Sequence, residues 1–176
     1  MRILGLGTVV LTLALGACHD DMRTGAPVAN GAVAVAILHN ADGADVGRAS
    51  ATEVAGGLRV TIDVHGLPPG THGAHVHTVG RCDAPDFASA GGHWNPTGMK
   101  HGSMNPAGPH QGDLPNLVIG TDGRGAVGVI LPGATMAGLL DADGSSLVVH
   151  AGRDDLMTDP SGNSGARIAC GVFAAS

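Results

Sequence analysis

The chain has no tyrosine, one tryptophan (Trp94) and two phenylalanines (Phe87 and Phe173). Its interior must therefore be filled by Val, Ile, Leu and Ala. Thirty glycines and ten prolines in 176 residues argue against a helical bundle and fit many turns between short strands. Positive charge is outnumbered: Lys100 is the single lysine, and the formal net charge is -6. A nucleic-acid binder would need a basic patch or stripe, and none is present. The length suits one domain once the ends are set aside.

The first residues read as a targeting segment. "MRILGLGTVVLTLALGAC" has one basic residue, an apolar stretch from Ile3 to Leu15, and small residues before Cys18. That stretch is too short and too poorly flanked for a transmembrane helix. "LGAC" resembles a bacterial lipobox, in which the cysteine is acylated and becomes the mature N-terminus. A signal peptide cleaved near Gly16 or Ala17 instead would leave Cys18 as a free thiol in an exported protein. The reading is a lipoprotein-type signal over residues 1–17, a polar tether over 18–30, and one domain over 31–176. The expected location is the bacterial periplasm, with a lipid anchor on Cys18 as the contact with the membrane. If Cys18 carries lipid, the other two of the three cysteines, Cys82 and Cys170, remain as a pair where disulfides are permitted.

From residue 31 the pattern has period two. "GAVAVAILH" separates Val33, Val35 and Ile37 from the smaller Ala34 and Ala36. In "LRVTIDVHGL", Leu58, Val60, Ile62 and Val64 point inward, and Arg59, Thr61, Asp63 and His65 point out. Further strands are read at "HVH", "NLVIG", "AVGVIL", "SSLVVHAG" and "RIACGVFA". Residues 81–115 and 151–166 are irregular, and stretches of that length inside a compact domain are commonly functional. The expectation is an all-β fold of about eight antiparallel strands, a flattened barrel or sandwich of Greek-key type with two long loops.

Polar chemistry collects in those loops and at two strand ends. "GAHVHTVGRC" carries His75 and His77 two positions apart, so both imidazoles leave one face of a strand. Two buried histidines are costly to desolvate without a partner, and neutral imidazole is a common ligand for zinc, copper and iron. His93, His101, His110 and Asp113 lie in the first irregular stretch, and His150 ends another strand. This set is enough for two first-row metals, an all-imidazole site suited to copper and a His-rich site with one Asp suited to zinc.

"GAHVH", "SAGGHWNP", "KHG", "PHQGDL", "VVHAGRDDL" and "GNSGARIACGV" resemble the successive signatures of the copper/zinc superoxide dismutases, in that family's order, over about residues 31–176. The resemblance implies an eight-stranded antiparallel Greek-key barrel binding one copper and one zinc per chain. The implied activity is dismutation of superoxide to dioxygen and hydrogen peroxide by a copper redox cycle. By position, His75, His77, His93 and His150 would bind copper. His93, His101, His110 and Asp113 would bind zinc, with His93 bridging and acting in catalysis. Cys82 and Cys170 match the family disulfide, and Arg167 matches the arginine that guides and holds the anion. Asp154 matches the carboxylate that links a copper histidine to a zinc histidine.

His19, His39 and His65 are read as tether, strand-end and solvent-face residues, His72 as structural, and Asp86 and Asp159 as surface charges. The 151–166 loop is shorter than in the cytosolic eukaryotic members and lacks their Glu-Glu-Lys cluster, so it looks more like the exported bacterial branch. Lys100, beside His101, is a candidate substitute for steering superoxide. A homodimer stays open.

Overall fold

The computed structural model describes residues 31–176; the signal segment, the tether, Cys18 and His19 lie outside them. The domain opens with three strands running up and down, β1 (Val33–Asn40), β2 (Asp45–Val54) and β3 (Gly57–Val64). Ala51 stands opposite both Ala34 and Val60. Two short strands follow, β4 (Gly70–His72) and β5 (Ala74–His77). β6 (Leu117–Ile119) comes after the long loop, then β7 (Gly125–Pro132) and a one-turn helix α1 (Met136–Leu139). β8 (Ser146–His150), β9 (Arg167–Val172) and β10 (Ala174–Ala175) complete the chain. Every pairing is antiparallel, in a curled sheet of order β5-β8-β9-β1-β2-β3-β7, with β10 against the start of β1 and a separate β4-β6 ladder. The all-β antiparallel architecture expected above is what forms.

β3 alternates as its sequence demands: Leu58, Val60, Ile62 and Val64 are buried, and Arg59, Thr61 and Asp63 face solvent. Burying four such side chains contributes roughly 1.5–3 kcal/mol each before entropy is counted. In β1 the smaller face points inward. Ala34, Ala36 and Leu38 are fully buried, whereas Ile37 is 44 % exposed. The alanines join Leu58, Leu117, Leu147 and Phe173 in one core cluster.

β5 would be a bare sheet edge, and the loop after it covers that edge. Trp94 N–H donates to Val76 O (2.8 Å), Val76 N–H to Gly112 O (2.9 Å) and Thr78 N–H to Gly92 O (2.9 Å). Isolated bridges set His77 opposite His93 and His75 opposite Asp113. A side chain at Gly112 would run into Val76 O, so only glycine allows this approach. Covering the edge thus carries a histidine and an aspartate of the loop to the two histidines of the strand.

Cys82 and Cys170 form a disulfide, 88 residues apart in sequence with Cα atoms 5.7 Å apart. It ties the same loop to β9, beside a small buried cluster of Phe87, Ala90 and Val148.

Candidate metal centre

His75 and His77 emerge from β5 fully buried, with ring centroids 6.3 Å apart. Each has one nitrogen committed. His75 Nε2 donates to Asp154 Oδ2 at 2.7 Å, and His77 Nδ1 donates to Gly91 O at 2.9 Å. His150, at the end of β8, donates from Nδ1 to Gly165 O at 3.1 Å. The remaining nitrogens, His75 Nδ1, His77 Nε2 and His150 Nε2, are buried without a hydrogen-bond partner, as is His93 Nε2. The four histidines bring their ligand atoms within 4.8 Å of one another.

Burial holds these rings neutral. It pushes the His75 pKa down to about 3 and the His77 pKa down to about 2. For His150 burial again dominates and brings the value down to about 4. Three neutral imidazoles therefore converge their free nitrogens on the same point as His93 Nε2. Leaving such groups unpaired costs about 1–3 kcal/mol each, and a cation at their centre removes the penalty. The donor set suits copper.

The other nitrogen of His93 belongs to a second group. Asp113 Oδ1 lies 2.9 Å from His93 Nδ1, 3.0 Å from His101 Nδ1 and 3.3 Å from His110 Nδ1. His110 Nδ1 and His93 Nδ1 are 3.5 Å apart. Ligand atoms at zinc bond lengths of about 2.0–2.2 Å in a tetrahedron stand about 3.3–3.5 Å from each other. Three imidazoles and one carboxylate thus already have close to the spacing of a structural zinc site. Burial acts to raise the Asp113 pKa, but hydrogen bonds from His93 and Gly102 N–H, with His101 nearby, bring it well below the usual carboxylate range. His75 also lies within 4.8 Å of His93, His101 and Asp113. With Nε2 held by Asp154 and Nδ1 among the four converging nitrogens, it belongs with the first group, and His110 completes the second.

Asp154 joins the two groups from behind. Its Oδ2 takes His75, and its Oδ1 takes His101 Nε2 at 3.0 Å. Burial pushes its carboxyl up, and the bonds from His75 and His101 outweigh that, leaving a value of about 2. Its backbone is clamped by Asn116, which accepts from Asp154 N–H at 2.9 Å and donates to Asp154 O at 2.9 Å. Gly162, at φ +63°, packs so close that a Cβ would overlap the Asp154 carboxylate and come within 2.7 Å of His101 Nε2. Neither Asn116 nor Gly162 carries any local sequence signal for this role.

Arg167 begins β9, and its guanidinium donates to Phe87 O and Gly91 O, both at 2.6 Å. Gly91 O is also the acceptor for His77, so one carbonyl orients the arginine and a histidine of the first group. Its charge is near enough to help lower the pKa of both His77 and His150.

All seven ligand candidates, Asp154 and Arg167 gather beside β5, the end of β8 and the start of β9. Of the histidines set aside, His39 and His65 are outside the groups and solvent-facing. His72 is buried, with its ring nitrogens bonded to His150 O (2.8 Å) and Pro68 O (2.9 Å). Lys100 is exposed and pairs with Asp159 at 2.9 Å. Asp159 is more than a surface charge, since it also accepts His101 N–H at 2.9 Å.

The copper/zinc superoxide dismutase (SODC) family model matches residues 46–173. The chain is 43 % identical over 142 residues to superoxide dismutase [Cu-Zn] 2 of Aquifex aeolicus, an alignment covering 77 % of this chain and 83 % of that one. It is also 43 % identical to superoxide dismutase [Cu-Zn] of Caulobacter vibrioides, over 80 % and 84 % of the two chains. A crystal structure of a SOD-like protein from Bacillus subtilis superposes with a TM-score of 0.75 at 41 % identity, over 80 % of this chain and 97 % of that one. Cu/Zn superoxide dismutase from Brucella abortus gives a TM-score of 0.66 at 33 % identity, over 81 % and 99 %. Match and geometry agree over the same residues: the chain belongs to the copper/zinc superoxide dismutase family.

Proposed function

We propose that the chain dismutes superoxide, with copper held by His75, His77, His93 and His150 and zinc held by His93, His101, His110 and Asp113. The observation that carries this reading is the sharing of His93, which turns Nε2 toward the converging nitrogens of His75, His77 and His150 and Nδ1 toward Asp113. When bound, copper supplies the one-electron acceptor and donor, and zinc supplies a redox-inert charge that keeps His93 in place. One superoxide gives up an electron and leaves as O₂. A second takes that electron with two protons and leaves as H₂O₂.

The chain's own residues do the rest. Arg167, a fixed planar cation, attracts and orients the small anion. His93 would hold a proton at Nε2 only while that nitrogen is not a ligand, and would pass it to the departing peroxide, the second proton coming from water. Asp154 keeps His75 and His101 in the tautomers that turn Nδ1 inward. The lipobox-like "LGAC" supports a lipid anchor at Cys18 and hence a periplasmic, membrane-attached enzyme. Release of a Cys18→Ser variant as soluble, unacylated protein supports the anchor, and finding Cys18 unmodified in the wild type refutes it.

The test of the main reading is metal analysis of the purified protein coupled to a superoxide-consumption assay. One copper and one zinc per chain with rapid consumption is the expected result. His110→Ala should lose zinc and keep copper. Full metal loading without consumption would mean a metal-holding protein of this fold and would overturn the enzyme reading.

A further inference from the structure

Asp159 stands where the two loops meet, and what it touches exceeds the role of a surface charge. Its Oδ1 accepts the backbone N–H of His101 at 2.9 Å, and its Oδ2 accepts Lys100 Nζ at 2.9 Å. The same Oδ1 lies 3.7 Å from His110 Nε2. Around it the loops are zipped together. Met104 N–H donates to Leu156 O at 2.9 Å, and Asn105 Nδ2 donates to Met157 O at 3.1 Å. The glycine between these contacts, Gly102, has no room for a Cβ against Leu156 O.

The orientation of His110 gives this contact chemical meaning. Its Nδ1 faces Asp113 and His93, so Nδ1 is the atom that can offer a lone pair to zinc, and the ring proton must then sit on Nε2. Asp159 is the carboxylate on that Nε2 side. His101 repeats the pattern, with Nδ1 inward and Nε2 on Asp154. His93 turns its Nε2 to the copper group instead. Carboxylates behind ligating imidazoles fix the tautomer and raise ligand basicity. The exposed pair with Lys100 adds little by itself.

We infer that Asp159 is a positioning residue for zinc: one carboxylate that pins the backbone of His101 and, by its charge 3.7 Å from His110 Nε2, favours the tautomer with Nδ1 free for the metal. This rests on the zinc assignment proposed above and extends it to a residue outside the ligand set. It acts through two ligands and touches neither metal nor substrate.

The test compares variants by zinc affinity, measured by chelator competition on the copper-loaded protein, and by the visible spectrum with cobalt(II) in place of zinc. Asp159→Asn keeps an acceptor for His101 N–H but removes the charge facing His110. Zinc should bind about 10–100-fold more weakly, with shifted cobalt bands and undiminished copper content. Asp159→Glu should recover part of the loss. Lys100→Gln should leave both readouts at wild-type values. The inference is overturned if Asp159→Asn and Asp159→Ala both bind zinc within threefold of wild type with unshifted cobalt bands. A lower melting temperature of the metal-free protein with zinc affinity and spectrum unchanged also overturns it, because Asp159 would then be only a latch between loops. His110→Ala separates the two levels. If it binds zinc like the wild type, the zinc assignment falls and this inference with it; if it loses zinc while Asp159→Asn does not, this inference alone falls.

Discussion

Removing the disulfide should lower stability by an amount set mainly by the unfolded chain. Cys82 and Cys170 are 88 residues apart. Freeing a loop of that length adds about 4.5 kcal/mol of entropy to the unfolded state in the chain-entropy account. The described domain runs from residue 31 to residue 176. At about 2.1 cal/mol/K of unfolding entropy per residue, a domain of that size has a total near 0.3 kcal/mol/K. The melting temperature should then fall by about 15 °C. The folded state gives reason to expect no further loss. Arg167 holds Phe87 O and Gly91 O independently of the bridge, and Phe87, Ala90 and Val148 pack beside it. The assay is calorimetry of metal-free wild type against Cys82→Ala/Cys170→Ala. Alanine is chosen because Cys170 is buried and a serine hydroxyl would bring its own desolvation penalty. A fall of less than about 4 °C would refute the entropic reasoning. A fall well beyond 25 °C would mean that the loop's native contacts depend on the bridge.

Three further outcomes follow from the geometry. Arg167→Ile should keep both metals and lose roughly tenfold or more of the superoxide-consumption rate, with Arg167→Glu losing more. Focusing by a local cation is worth ~10–10³-fold in rate, an effect for which superoxide dismutases are themselves a standard example, and wild-type rates for metal-loaded Arg167→Glu across ionic strengths would refute the role. Gly162→Ala should destabilise the protein by about 2–4 kcal/mol in urea unfolding and weaken zinc binding, because the new methyl has no space between Asp154 and His101. The metal-free protein should lose stability as pH falls below about 6.5, since folded His75, His77 and His150 titrate only near 3, 2 and 4. Between those values and the unfolded pKa the unfolded chain binds more protons, so each histidine contributes a slope of up to about 1.4 kcal/mol per pH unit. Urea unfolding with the same midpoint at pH 7.5, 6 and 5 would contradict the burial of neutral imidazoles.

The strands were legible because period two survives in Leu58–Val64, where one face is core and the other water. It was less informative in β1, where the buried face is the smaller one and both faces read as apolar. The paired histidines of β5 were legible for the same geometric reason, two positions being one side of a strand. The contacts that bring His93 and Asp113 to them were not. They are single bridges along the edge of β5, made by loop residues with no period, and the seven-ligand assignment came from resemblance to a family. Asn116 and Asp159 escaped because their partners lie far along the chain, and Gly162 because a glycine's need for space leaves no mark in the sequence. Asn116 holds Asp154 38 positions away, and Asp159 holds His101 58 positions away. Lys100 was read as a candidate for steering without its ion-pair partner, because Asp159 is 59 positions away in sequence.

The same contacts couple the two groups. His93 serves both with its two nitrogens, Asp154 holds one histidine of each, and Gly91 O binds both His77 and Arg167. Strain at any one of these three points must therefore reach the others, since a close-packed interior transmits displacement. The loop bearing His93 owes its position to backbone bonds along β5, and those bonds also close an edge that would otherwise be free to pair with another chain. Shortening or loosening the loop would expose that edge and withdraw His93 together. For this fold, then, protection of the sheet and assembly of the centre are one structural event, and a substitution that spares every ligand, such as Gly112→Ala, should still damage both.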